Sequence, residues 1–206
     1  MNATAELLLQ GAKELGLSLN DGQLRQLSDF LRLIQKWNRA YNLVGVSDSH
    51  ILVTKHLLDC LSVAPYINEG PVLDVGSGAG LPGIPLAIAR PDISFILLDS
   101  NGKKTRFMRQ AAIELELENI EVVHSRVQEY VARTPPKMLL SRAFAHLHEA
   151  LQLLTEQCAP GGQVGIMLGE EPQHVPEISG LNFTTIHKLI VPGLNSQRHL
   201  LLASKI

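Results

Sequence analysis

Over roughly the first forty-five residues the apolar positions step by three and four, the period of an α-helix packed on one face. Leucines and alanines recur from Ala3 to Leu15, and Gly16 supplies a stop. Asn20 and Asp21 form a second start signal, after which Leu24, Leu27, Phe30, Leu31, Ile34, Trp37, Tyr41 and Val44 line one face of a long amphipathic helix. A third helix, capped by Ser47 or Asp48, turns Ile51, Leu52, Leu57, Leu58 and Leu61 inward before Pro65. The first third of the chain is therefore expected to be helical.

After Gly70 the rhythm changes to short apolar runs at 72–75, 95–98, 120–123, 138–140 and 164–168, separated by helical patterns at 84–90, 103–117 and 146–157. That alternation predicts an α/β fold with a mainly parallel sheet and helices on both faces. Only residues 192–197 separate the last two runs, 183–191 and 198–203, too few for a parallel crossover, so these should form an antiparallel hairpin at the sheet edge.

The first apolar run opens into VLDVGSGAGLPG, residues 72–83, in which Asp74 precedes Gly76, Gly78 and Gly80. A strand that breaks into glycine before a helix marks a ligand crevice at the carboxyl end of a parallel sheet. Asp99 ends the second run, 23 residues beyond Gly76, where it can accept hydrogen bonds from ribose hydroxyls. Gly78, Gly80 and Gly83 also satisfy GxGxxG, which keeps NAD and an oxidoreductase as an alternative. Asp74 favours S-adenosylmethionine instead, because its carboxylate would repel a pyrophosphate and suits an amino group.

Composition narrows the partners rather than the fold. The formal charge of -2 and a pI near 6.4 exclude nucleic-acid binding by bulk charge, so any such binding needs a local patch. Lys103, Arg106 and Arg109 supply one, spaced three apart at the start of a helix with Lys104 beside them and no acid before Glu114. Cations in a first turn oppose the helix dipole unless an anion such as phosphate is near. Lys36, Arg39, Lys55, Arg126 and Arg198 are candidates to extend the patch; a solvated helix face is the plainer reading. Trp37 and Tyr41 suit the core better than base stacking, Cys60 and Cys158 read as buried thiols, and His56 and Asp59, one turn apart, as a local hydrogen bond. No basic leader with a long apolar run opens the chain and no run has the roughly 18 apolar residues of a membrane helix, which predicts a cytoplasmic protein.

DVGSGAGLPGIPLAI, the flanking LLDSNGKKTRFMRQ, SRVQEY, SRAFA, and the helical KWNRAYNL and KHLLDCL together resemble the bacterial 16S ribosomal RNA guanine-N7 methyltransferase family, also called glucose-inhibited division protein B. The resemblance runs in order from about Leu17 to the closing RHLLLASKI. It implies a helical segment, residues 1–68, packed on a Rossmann-like class I S-adenosylmethionine-dependent methyltransferase domain, residues 69–206. It further implies 16S ribosomal RNA as substrate, free or within the small subunit or an assembly intermediate, and cofactor contacts at Gly76, Leu81, Val127, Gln128 and Arg142. One position departs from the family pattern: Leu168 stands where a lysine often precedes the glycine that is here Gly169.

The chemistry is compatible with that reading. Guanine N7 carries an in-plane lone pair and no proton, so attack on a sulfonium methyl needs alignment and exclusion of water rather than a general base. SRAFA lacks the Asn or Asp and paired prolines of exocyclic-amine methylases, and neither cysteine follows a proline as in cytosine C5 enzymes. Arg142 is left to hold the cofactor carboxylate, to donate to guanine O6, or simply to pair with a nearby acid. A noncatalytic RNA-binding assembly factor that keeps the pocket, and a small-molecule methyltransferase, remain as rival readings.

Overall fold

The computed structural model describes residues 3–45, 48–142 and 146–206, so Ser47 and the last three residues of SRAFA lie outside the described residues. Helix α1 (Ala3–Glu14) is followed by α2 (Asp21–Tyr41), which starts in a capping box: the Asn20 side chain accepts from the Gln23 amide at 2.9 Å and the Gln23 side chain accepts from the Asn20 amide at 2.9 Å. α2 stops three residues short of the apolar pattern. Asn42 turns left-handed (φ 49°) and the Val44 amide donates to the Asn38 side chain, so Leu43 and Val44 reach the core from a turn.

Asp48 caps α3 (Ser49–Leu52), which runs into a π-helix (Val53–Leu58) and then α4 (Asp59–Leu61). The pattern of apolar residues shows a helix here; it does not show the wide π turn in its middle.

The sheet holds β1 (Val72–Val75), β2 (Phe95–Asp99), β3 (Ile120–His124), β4 (Met138–Ser141), β5 (Gln163–Leu168), β6 (Leu181–Lys188) and β7 (His199–Lys205) in the order β3-β2-β1-β4-β5-β7-β6. The first five strands are parallel, and β7 pairs antiparallel with both β5 and β6, which places the expected hairpin at the edge with β7 inside it. Alternation sorts the side chains into two cores. Val72, Phe95, Leu97, Met138 and Leu140 face α5 (Gly83–Ala89) and α6 (Gly102–Glu114), while Leu73, Val75, Leu98 and Leu139 face α7 (Leu147–Gln157).

The N-terminal helices complete the first core. Leu27, Phe30, Ile34, Leu52, Leu57, Leu58 and Leu61 have no solvent exposure and share one cluster with Phe95 and Phe107, each such side chain contributing about 1.5–3 kcal/mol. Trp37 sits edge-on to Phe107 at 5.7 Å and beside Tyr41 at 5.1 Å, both half-buried against this cluster. Gln23 and Gln26 tie α2 to the ends of α5 and α6 through the Ile88 and Leu115 carbonyls at 2.8 Å.

The opposite face is less covered. Between β3 and β4 the chain makes only one 3-10 turn (Val127–Glu129), no residue of β3 is fully buried, and Val131 is 87% exposed. No described helix is long and apolar enough to cross a membrane.

Candidate active site

The crevice forms along the carboxyl edge of the parallel strands, and sheet order divides it. β1, β2 and β3 lie to one side of the point where the order reverses, with β4, β5 and β7 on the other.

On the first side the loop after β1 is built by its own hydrogen bonds. The Gly76 and Ser77 amides donate to the Leu98 carbonyl at 2.8 and 3.1 Å, and the Ser77 hydroxyl donates to the Asp74 carbonyl at 2.8 Å. Asp99 accepts the Gly78 amide on one oxygen and the Asn101 amide on the other, each at 2.8 Å. A carboxylate has about four acceptor sites, so Asp99 retains acceptor capacity for a ligand. Gly76 holds φ at +74°, and a Cβ there would project into open space, so only glycine both makes the turn and leaves the backbone bare. A cavity of about 480 Å³ opens at this spot. Gly76, Asp99, Val127 and Gln128 meet on its wall, joined by Lys104 and Arg126.

Asp74 is placed differently from a group that meets ligand openly. It has no solvent exposure and lies beneath the loop, where its Oδ2 accepts the Gly83 amide at 2.9 Å and its Oδ1 is buried without a partner. Burial pushes its carboxyl up to about 7, against the hydrogen bond from Gly83 and the nearby Ser77 hydroxyl. The start of α5, where a dinucleotide pyrophosphate would be expected to sit, is thus filled by the protein's own carboxylate. Gly80 and Leu81 also point inward: Gly80 backs onto Ile84, and Leu81 is buried in the first core.

On the second side Arg142 leaves the end of β4 and engages the helical segment. Its Nη2 donates to the Lys55 carbonyl at 2.9 Å and to His56 Nδ1 at 2.9 Å, and its Nη1 meets Cys60 Sγ at 3.4 Å. The same Nη2 faces Asp59 Oδ2 at 3.4 Å, and Arg198 Nε reaches Asp59 Oδ1 at 3.1 Å. His56 and Asp59 therefore meet through Arg142, where the sequence suggested a bond between the two. Burial, then Arg142, Lys55 and Arg198, depress His56 to about 4, which keeps it neutral and able to accept at Nδ1. Asp59 is raised by burial more than the two guanidiniums lower it, and burial lifts the Cys60 thiol to about 12. Cys158 is likewise buried and free, its thiol raised to about 11.

The basic patch is divided by the fold. Lys103, Arg106 and Arg109 are exposed along a groove of about 810 Å³ between α6 and His124, with the Arg109 guanidinium also donating to the Val122 carbonyl at 3.3 Å. Lys104 instead leans over the glycine loop, its Nζ 3.8 Å from the Cβ position of Gly78. Arg198 is committed to Asp59. Leu168, the departure from the family pattern, ends β5 half-buried and pairs with His199.

Comparison with known proteins matches the family described as rRNA small subunit methyltransferase G over residues 23–201. The chain belongs to that family. It is 48% identical over 204 residues to the ribosomal RNA small subunit methyltransferase G of Ectopseudomonas mendocina, covering 96% of this chain and 94% of that one. The Nitrosococcus oceani protein of the same name is 44% identical over 203 residues, covering 97% and 95%. Among solved structures the chain is similar to cofactor-bound Rv0187 from MTB, with a TM-score of 0.63 at 18% identity over 88% of this chain and 89% of that one. It is also similar to the magnesium protoporphyrin IX methyltransferase of Synechocystis PCC 6803, with a TM-score of 0.60 at 14% identity over 92% and 99%. At those identities the likeness establishes the Rossmann-like methyltransferase fold, and family membership establishes that the chain is a methyltransferase.

Proposed function

We propose that the protein transfers a methyl group from S-adenosylmethionine to N7 of a guanine in 16S ribosomal RNA, acting in the cytoplasm on free RNA or on a small-subunit particle. The observation that carries the reading is the cavity after β1, where Gly76 bares its backbone beside Asp99 while Asp74 fills the helix start a dinucleotide would need, in a chain of this family. The residues fit the cofactor: Asp99 has acceptor capacity for ribose hydroxyls, Val127 and Leu98 offer apolar wall, and Gln128 borders the opening. Bound there, S-adenosylmethionine supplies a methyl group on a positively charged sulfur.

The protein's own groups suit an acceptor that needs no deprotonation. Cys60 and Cys158 are held as thiols, and Asp74 is sealed below the loop, so the crevice works by placing and drying the reactants. Arg142, one-fifth exposed, keeps an outer edge for the cofactor carboxylate or for guanine O6. Lys103, Arg106 and Arg109 offer phosphate contacts beside the cavity, with Lys104 and Arg126 at its border and Arg198 partly exposed just before β7. The major groove of A-form RNA hides N7, so a loop or distorted target suits this crevice better than regular duplex.

Labelled methyl transfer to undermethylated 16S RNA and to small subunits, with the product nucleoside and its position identified by mass spectrometry, tests the proposal. The expected product is 7-methylguanosine at one site. RNA binding without methyl transfer, or a rise in melting temperature with NAD and none with S-adenosylmethionine, would overturn the proposal.

A further inference from the structure

Asp59 reaches the carboxyl edge from outside the sheet, on the first turn of α4, and its two oxygens go to different strands. Oδ1 takes Arg198, which precedes β7, and Oδ2 faces Arg142, which follows β4. The first residue of β7, His199, pairs with the last of β5, Leu168, so both arginines stand at the same edge of the sheet. The carboxylate is shut away, with 2% of its side chain exposed, while the two guanidiniums keep 20% and 21%. Both cations thus stay partly open to solvent at this edge, with Arg198 Nη1 also donating to Ser196 Oγ and the Gln197 carbonyl.

Stability alone does not require this arrangement. A buried carboxylate loses several kcal/mol of hydration, and apolar replacements of buried ion clusters are often as stable or more so. Leu57, Leu58 and Leu61, its neighbours in sequence, are themselves fully buried. What an acid supplies here, and a leucine would not, is a fixed place for two guanidiniums. Arg142 is then held against the helical segment at Lys55, His56, Asp59 and Cys60 together.

We infer that Asp59 is a positioning residue for methyl transfer, holding Arg142 and Arg198 in one arrangement on the β4–β5–β7 side of the crevice, where the RNA base is received. The inference rests on the proposed RNA substrate. One carboxylate against two guanidiniums leaves a positive charge, matched to an RNA acceptor, and Asp59 is an anchor that the two guanidiniums share.

Asp59→Asn in the full-length chain tests this, with kcat measured at saturating S-adenosylmethionine and RNA alongside RNA affinity and thermal melting. The expected result is a kcat lower by about tenfold to a hundredfold, with RNA affinity equal or tighter because the variant gains positive charge. A merely structural role would weaken binding, rate and melting together. Unchanged kcat, or a loss confined to RNA affinity, overturns the inference. If the substitution lowers melting into the assay range, kcat of both proteins is measured well below the variant's transition; a rate equal to the parent's there overturns the inference. A parent chain that binds RNA but transfers no methyl overturns the proposed function and this role with it, whereas an active parent with a fully active variant removes only the role of Asp59.

Discussion

At the scale of single residues, Asp74 and Asp99 divide the work that a strand-end acid can do. Asp99 faces the cavity and holds the loop on both oxygens, so Asp99→Ala removes an acceptor and two anchors at once. Cofactor affinity is expected to fall at least about tenfold, as for loss of hydrogen bonds to a charged group, and isothermal titration checks it. Asp74 acts from below. Its carboxyl titrates near 7 in the folded chain against 3.8 ordinarily, so the folded state binds this proton more tightly than the unfolded state does. Its contribution to stability is fully present below about pH 4 and is lost as pH rises to about 7, at up to about 1.4 kcal/mol per pH unit. Urea denaturation across that range should show Asp74→Asn gaining on the parent chain as pH rises; a difference that stays flat would refute the assignment. The sequence named both acids. It did not show that one lies on the cavity wall and the other under the floor, because both follow apolar runs of the same kind and only the packing of Gly83 and Leu97 around Asp74 separates them.

Among the elements, α6 shows where a sequence pattern and a surface diverge. Four cations at its start look like one patch, yet the helix turns Lys103, Arg106 and Arg109 outward and Lys104 toward the glycine loop. Neutralising the three outward residues is expected to weaken RNA binding and to reduce the slope of log affinity against log salt by about 0.7 for each phosphate no longer neutralised. Lys104→Gln should act mainly on cofactor affinity. Equal effects of the two changes on the salt slope would show that the division is wrong. The strands were legible as short apolar runs, and the closing hairpin from the length of its loop. The π-helix was not, since apolar spacing over six residues fits a 3.6-residue turn nearly as well as a wider one. The sequence around Asp59 carries a signal of its own: an acid set among Leu57, Leu58 and Leu61 is a buried charge that must find a cation, even though the partners lie 83 and 139 residues away.

For the whole molecule, we propose a layout of residues 1–68 as a helical segment packed on residues 69–206, and the shared core makes the two interdependent. The helices of the first segment bury apolar side chains in one cluster with Phe95 and Phe107, and Asp59 carries the arginine clamp across the boundary. Residues 69–206 alone are expected to lack a cooperative unfolding transition, while the full chain unfolds in one; calorimetry of both distinguishes this from an independent domain.

The bare crossover between β3 and β4 carries a kinetic consequence. β3 is the outermost parallel strand, has no fully buried residue, and leads directly into Ser125–Gln128, which closes the cofactor cavity. Amide hydrogens there should exchange with solvent faster than those of β1 or β4, because little packing opposes local opening. S-adenosylmethionine should slow that exchange more at residues 120–128 than anywhere in the N-terminal helices. The methyl donor would then serve as the missing brace, and the outer wall of its own site would become rigid only once it has arrived.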